Sequence, residues 1–241
     1  MTERKSLYKE FAGYVSLNVL GMLGLSCYIL ADTFFVSLGL GTDGLAALNL
    51  AVPVYNFIHG SGLMLGMGGA SSYAIFRGAG NERAAGGVFT DTLYAAAVFA
   101  AVFVLAGAAF SQPITAALGA DDAVVAMTET YLRVILLFAP AFILNNVVLC
   151  FVRNDGAPKL AMAAMLAGSL SNIFLDWLFM FPFGMGIFGA VFATGLAPVI
   201  SLAVLSAHFF RRRNGFRPVR KCLDLRAVGR NLSLGLPSLV T

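Results

Sequence analysis

The chain has 241 residues, of which 59% are hydrophobic and 12% charged, with a net charge of +4 and a mean hydropathy of +0.84. Soluble domains carry about 25% charged residues, so this balance excludes a disordered chain and does not suit a water-soluble core. The three cysteines, Cys27, Cys150 and Cys222, are odd in number and far apart, which leaves neither a disulfide framework nor a zinc spacing.

Crossing the hydrocarbon core takes about 20 apolar residues. In chain order the sequence predicts helical spans over residues 12–38, 45–76, 85–110, 123–151, 160–181 and 187–210. The breaks at 39–44, 78–81, 111–113, 154–158 and 182–184 hold Gly, Pro, Asn, Asp or Ser, the residues of turns. Barrel strands are much shorter than these runs and alternate in polarity. The N-terminus has mixed charges and no small-residue cleavage site, so it reads as part of a retained first helix and not as a signal peptide. The predicted fold class is all-α, a polytopic membrane protein with a bundle of six transmembrane helices.

Basic residues set the orientation. Arg4, Lys5 and Lys9 precede the first span, Arg77 and Arg83 follow the second, and Arg153 and Lys159 follow the fourth. Arg211, Arg212, Arg213, Arg217, Arg220, Lys221, Arg226 and Arg230 follow the sixth. Every Lys and Arg except Arg133 thus falls on one side, which places both termini in the cytoplasm of a multi-pass protein of the cell inner (plasma) membrane. The basic tail directly follows a membrane helix and is almost free of aromatics, so its expected partner is anionic membrane lipid and not nucleic acid. The expected domains are a six-helix lobe over 1–210, a basic cytoplasmic connector over 211–230 and the start of a truncated second lobe over 231–241. An even number of spans would begin that second lobe in the orientation of the first, as in parallel-repeat transporters, so a missing C-terminal lobe is an expected partner.

Ionisable groups in hydrocarbon are costly and usually have a task. Asp32 lies seven residues before the Gly39 turn and Asp176 eight before Gly184, so both sit roughly 10–12 Å below the outer helix ends. Asn172 is one turn from Asp176, and Thr194 reaches a similar depth on the sixth span. Together these oxygens could share a proton or hold a small hard cation; the alternative is four separate groups bonded to their own helices. Glu129 and Arg133 have i, i+4 spacing and are expected to form a structural ion pair. Asp91 is expected near the cytoplasmic interface. Asn18, Asn56, Asn145 and Asn146, with Asn49, are candidates either to line a substrate cavity or to join helices. The small residues of 60–72 are expected to pack tightly. Two G-x-G-x-x-G matches, at 39–44 and 184–189, lie in turns outside any βαβ unit, and the sequon at Asn231 falls on the cytoplasmic side; none is given a role. His59 and His208 belong to no catalytic triad or metal motif, so neither an enzyme nor a cofactor is expected.

Several segments resemble the multidrug and toxic-compound extrusion (MATE) family, in its DinF-like branch. They are Ala31-Asp-Thr-Phe-Phe-Val-Ser37 with Leu40-Gly-Thr-Asp-Gly-Leu-Ala-Ala-Leu48, Arg77-Gly-Ala-Gly-Asn-Glu-Arg-Ala84, Arg153-Asn-Asp-Gly-Ala-Pro-Lys159, Asn172-Ile-Phe-Leu-Asp176 and Gly235-Leu-Pro-Ser238. The resemblance implies the first lobe of a twelve-helix antiporter that exports amphipathic or cationic small molecules in exchange for H+ or Na+. It maps the family's N-lobe cation site onto Asp32, Asn172, Asp176 and Thr194. One departure is Leu20, which stands where the family usually has a proline that bends helix one. The rival expectations are a flippase of lipid-linked saccharides, which would need basic residues in its cavity, and an inactive membrane scaffold.

Overall fold

A computed structural model describes residues 2–210, 214–219 and 224–239, and the described part is helical almost throughout. The first element, α1, is Thr2–Gly78. Its apolar part, Val19–Gly78, has 60 residues, roughly 90 Å of helix against about 30 Å of hydrocarbon. Gly41 resolves the excess: at φ 64° and ψ −150° it turns the chain through a conformation open only to glycine. The Tyr28 and Tyr55 hydroxyls, 27 residues apart, then lie 2.7 Å from each other. In a straight helix they would be roughly 40 Å apart. So α1 is two passes, and the expected turn at 39–44 contracts to one residue. The first pass runs through Leu20 without a break, as expected where no proline removes a hydrogen bond.

Helix α2, Glu82–Ala117, starts at Asn81, whose side chain accepts from the Ala84 amide at 3.0 Å. The expected break at 111–113 does not occur there, because Pro113 sits in the helix and the remaining turn continues to Ala117. Helices α3, Val125–Leu137, and α4, Ala139–Asn154, form one span bent by 46° at Phe138. Pro140 explains the bend, since it has no N–H to offer the Leu136 carbonyl. Helices α5, Pro158–Met180, and α6, Gly186–Phe210, complete the bundle. Counting α1 twice and α3 with α4 once, six passes result, and the protein is a multi-pass membrane protein. Leu30, Phe34, Leu105 and Leu170 on the outer surface are more than half exposed, a surface suited to lipid and not to water. Hydroxyls inside the spans donate back to their own helices, as Thr33 does to Ile29 and Thr92 to Val88.

After the sixth pass the chain returns along the bundle end opposite Gly41. Asp155 gathers that end: it accepts from Tyr73 Oη at 2.6 Å and from the Gly215 amide at 2.7 Å, meets His208 Nε2 at 2.8 Å, and pairs with Arg77. Phe216 is fully buried among Tyr73, Phe89, Phe151 and Phe209. The Val219 amide donates to Thr90 Oγ1 at 2.8 Å and the Asp224 amide to Asp91 Oδ1 at 3.3 Å. Asp91 is therefore fully buried, beneath the connector at that end of the bundle. Helix α7, Leu225–Gly235, is capped by Asp224, crosses the expected boundary at 230/231, and ends in a 3-10 turn, Leu236–Leu239. It packs on the second pass of α1, where Gly68 lies against the Asn231 carbonyl and Gly235 against that of Met64.

The expected Glu129–Arg133 ion pair is not formed. Glu129 turns to α2, accepting from Ser111 Oγ at 3.5 Å, and Arg133 is exposed, free to extend its charge toward polar surroundings. Asp155 instead pairs with Arg77, while its other carboxylate oxygen lies 2.8 Å from His208 Nε2.

Candidate functional site

Three helices bring the expected oxygen cluster together. Asp32 comes from the first pass of α1, Asn172 and Asp176 from α5, and Thr194 from α6, all less than 8% exposed. With its amide nitrogen turned to Asp176, Asn172 donates to Asp176 Oδ2 at 3.2 Å and accepts from the Thr194 amide at 3.2 Å. Asn172 thereby ties α5 to α6. The Thr194 hydroxyl donates to the Ala190 carbonyl at 3.1 Å, so toward its other neighbours its oxygen acts as an acceptor. The two carboxylates interact electrostatically, and Oδ1 of each accepts no hydrogen bond.

Burying two carboxylates side by side is unfavourable unless something positive is shared between them. A proton does this, and so does a hard cation that takes oxygen ligands. The donor set fits both, since it is made only of carboxylate, amide and hydroxyl oxygens. Among the described residues no three or more His, Cys, Asp or Glu are grouped so that they could hold a metal ion by themselves.

Three tyrosines that no sequence motif singles out surround the acids. Tyr28 is one turn before Asp32 on the same face, and its hydroxyl meets that of Tyr55. Tyr131, on α3, faces Thr194 and lies within electrostatic reach of both acids. Only the i, i+4 spacing of Tyr28 and Asp32 was legible beforehand; Tyr55 and Tyr131 join through packing.

A cavity of about 360 Å³ adjoins the cluster, with Thr194, Tyr28 and Tyr55 in its wall. His59 stacks on Tyr55 with ring centroids 5.9 Å apart, and Asn146 Nδ2 donates to the His59 carbonyl at 3.2 Å. Asn145 and Asn146 line this cavity, and Asn146 also joins α4 to the second pass of α1 through His59. Asn56 does not: it is exposed, because one residue along a helix rotates a side chain by about 100° and Tyr55 already faces inward. The side chain of Asn18 lies outside the described ones. Glycines of the second pass give α4 its close approach, since a Cβ on Gly62 would lie 2.9 Å from Asn146 Nδ2 and one on Gly66 2.8 Å from the Asn146 carbonyl oxygen.

Comparison with known proteins agrees with this architecture. The MatE family profile matches residues 19–178. The multidrug export protein MepA of Staphylococcus aureus (strain MRSA252) is 27% identical over 209 residues, 87% of this chain and 46% of that protein. MepA of Staphylococcus saprophyticus is 26% identical over 210 residues, 87% of this chain and 47% of that protein. Among solved structures, MATE in complex with MaD3S superposes with a TM-score of 0.86 at 30% identity, covering 94% of this chain and 52% of that one. An outward-facing multidrug resistance MATE family transporter of the MOP superfamily gives 0.83 at 31%, covering 94% and 51%. A MOP superfamily transporter from Pyrococcus furiosus gives 0.84 at 30%, also covering 94% and 51%. The chain spans about half the length of the curated relatives it matches. It belongs to the MatE family, a family of transporters and not of enzymes.

Proposed function

We propose that the chain forms the N-terminal lobe of a cation-coupled exporter of small amphipathic molecules, with H+ or Na+ as the coupling ion. The observation that carries this reading is the buried Asp32–Asp176 pair, with one free oxygen on each acid, next to a cavity that shares Thr194 and Tyr28 with it. The proposed cycle follows from that adjacency. A cation entering from the Gly41 end neutralises the pair, relaxes the repulsion between the acids and changes how α1, α5 and α6 pack around Thr194. That change alters the cavity wall and releases substrate outward; loss of the cation on the cytoplasmic side restores the loaded-ready state. A membrane potential of 100 mV contributes about 2.3 kcal/mol for each charge that crosses it.

In this reading the end of the bundle carrying Arg77, Asp155 and the connector faces the cytoplasm of the plasma membrane, and lipid headgroups neutralise the basic tail. Alternating access needs a second lobe to rock against, supplied by a C-terminal half like that of the longer relatives. The test is dye export by the complete transporter in everted vesicles, comparing Asp32→Asn and Asp176→Asn with wild type. Wild-type export rates in both variants would sink the coupling role.

A further inference from the structure

The end of the cavity nearest the connector has a different character from the acid end. Arg153 is the one charged side chain in the cavity wall among the described residues, and no Asp or Glu lines it. The guanidinium has no carboxylate partner among the described residues; Nη2 instead approaches Met165 Sδ at 3.7 Å. Asp155, two residues on, is already held by Arg77, Tyr73, His208 and Gly215. Ser201 lines the same cavity at 3% exposure, and its Oγ has no hydrogen-bond partner. The serines and threonines elsewhere in the spans mostly bond back to their own helix; Ser201 keeps its hydroxyl available. Ser169, also buried, lines the wall beside Gly168, whose Cβ position would lie 3.4 Å from Ser201 Cβ.

We infer that Arg153, Ser201 and Ser169 form an oxyanion-binding end of the cavity, which takes the acidic group of an amphipathic organic anion. A guanidinium and a hydroxyl both donate, and a carboxylate, sulfonate or phosphate accepts from donors of either kind. A cation in the same place would meet an unneutralised positive charge in a low-polarity wall, where repulsion is strong. The rest of the lining suits the apolar body of such a ligand: Met22, Met67 and Met165 are unbranched and polarizable and adapt to varied shapes. This assignment rests on the export reading for how the ligand would be moved, while binding itself needs only the cavity. The same chemistry fits a free amphiphile or an anionic lipid headgroup.

The test is equilibrium titration of the protein in phosphatidylcholine nanodiscs, against empty nanodiscs, with 1-anilinonaphthalene-8-sulfonate and with tetraphenylphosphonium. Wild type is expected to bind the sulfonate in preference to the phosphonium, Arg153→Gln to bind it at least about tenfold more weakly, and Arg153→Lys to keep most of the affinity. Ser201→Ala is expected to weaken the sulfonate severalfold. Equal sulfonate affinity in wild type and Arg153→Gln, or a wild-type preference for the phosphonium, overturns the proposal; the second comparison needs no variant and decides even if Arg153→Gln fails to fold. Adding phosphatidylglycerol to the nanodiscs separates the sources: competition assigns the site to a lipid headgroup, and its absence to a free amphiphile. Asp32→Asn keeps this test apart from the export reading. Sulfonate binding that survives in a variant whose export is unaltered leaves the oxyanion site standing without coupling, whereas Asp32-dependent export without sulfonate preference sinks the oxyanion site alone.

Discussion

Tyr28 and Tyr55 join the two passes of α1 through their hydroxyls, 2.7 Å apart, between the acid pair and the cavity. The reversal at Gly41 is what allows it, and the bond is the shortest side-chain link between those passes among the described residues. It also gives any rearrangement around Asp32 a direct route to the cavity wall, because Tyr28 shares a helix face with Asp32 and Tyr55 stacks on His59.

Tyr28→Phe and Tyr55→Phe should each lower stability by about 1 kcal/mol, the net worth of one such hydrogen bond. The double variant should cost less than the sum, since both changes remove the same bond. Thermal unfolding in detergent of the four proteins of this cycle measures the coupling, and strict additivity would show that the bond contributes nothing.

Asp32→Asn or Asp176→Asn should each reduce coupled export by at least about tenfold, equivalent to about 1.4 kcal/mol at the limiting barrier. Neither change should unfold the protein, because an amide removes a buried charge while keeping the shape. Export driven by an imposed ion gradient, with melting temperature as the folding control, gives both readings.

Gly41→Ala should destabilise the fold by about 1–3 kcal/mol, since any side chain at φ 64° and ψ −150° is strained. Space is not the reason, as nothing lies within 4 Å of the added Cβ. The check is the melting temperature beside Gly78→Ala, an exposed glycine in ordinary helix whose change should be neutral or stabilising; equal melting temperatures for the two would refute the strain argument.

Asp155→Ala should lower stability by on the order of 3 kcal/mol, mainly through Tyr73 and the Gly215 amide losing a charged acceptor. Arg77 adds little to that figure, because its side chain is 45% exposed and water screens the pair. Phe216→Ala should cost a similar amount by opening a void among four aromatic rings. If either variant melts with wild type, the connector is not held as described.

Gly68→Val should force α7 away from the second pass, because the added side chain would occupy the place of the Asn231 carbonyl. Faster amide hydrogen exchange over 225–235 is the expected outcome, with exchange in α5 unchanged. Unaltered protection of α7 would mean that the two backbones do not approach as closely as found.

The depth of the polar residues is legible in the sequence, and their direction is not. Asp32, Asn172, Asp176 and Thr194 could be grouped because distance along a helix follows from counting residues. Asn56 and Arg133 sat at plausible depths but face outward, and Asp91 was buried by a connector whose path no local pattern announces. Tyr131 and Ser201 carried no signal of their own, since each is one polar residue among several in its helix and neither has a partner at i±4 that marks it out.

Composition and the spacing of apolar runs, turns and basic residues determined by themselves that this chain crosses a membrane six times, because the bilayer acts on each segment alone and demands length and hydrophobicity locally. Tertiary packing alone decided which side chains meet: the single-residue reversal at Gly41, the bend at Phe138, the tyrosines around the acids and the unpaired Arg153 in the cavity wall. The physical reason is that the rotation of a helix about its axis is set by its neighbours, through close contacts such as those at Gly62, Gly66 and Gly68. A nearly uniform apolar helix contains almost no information about that angle until the others pack against it.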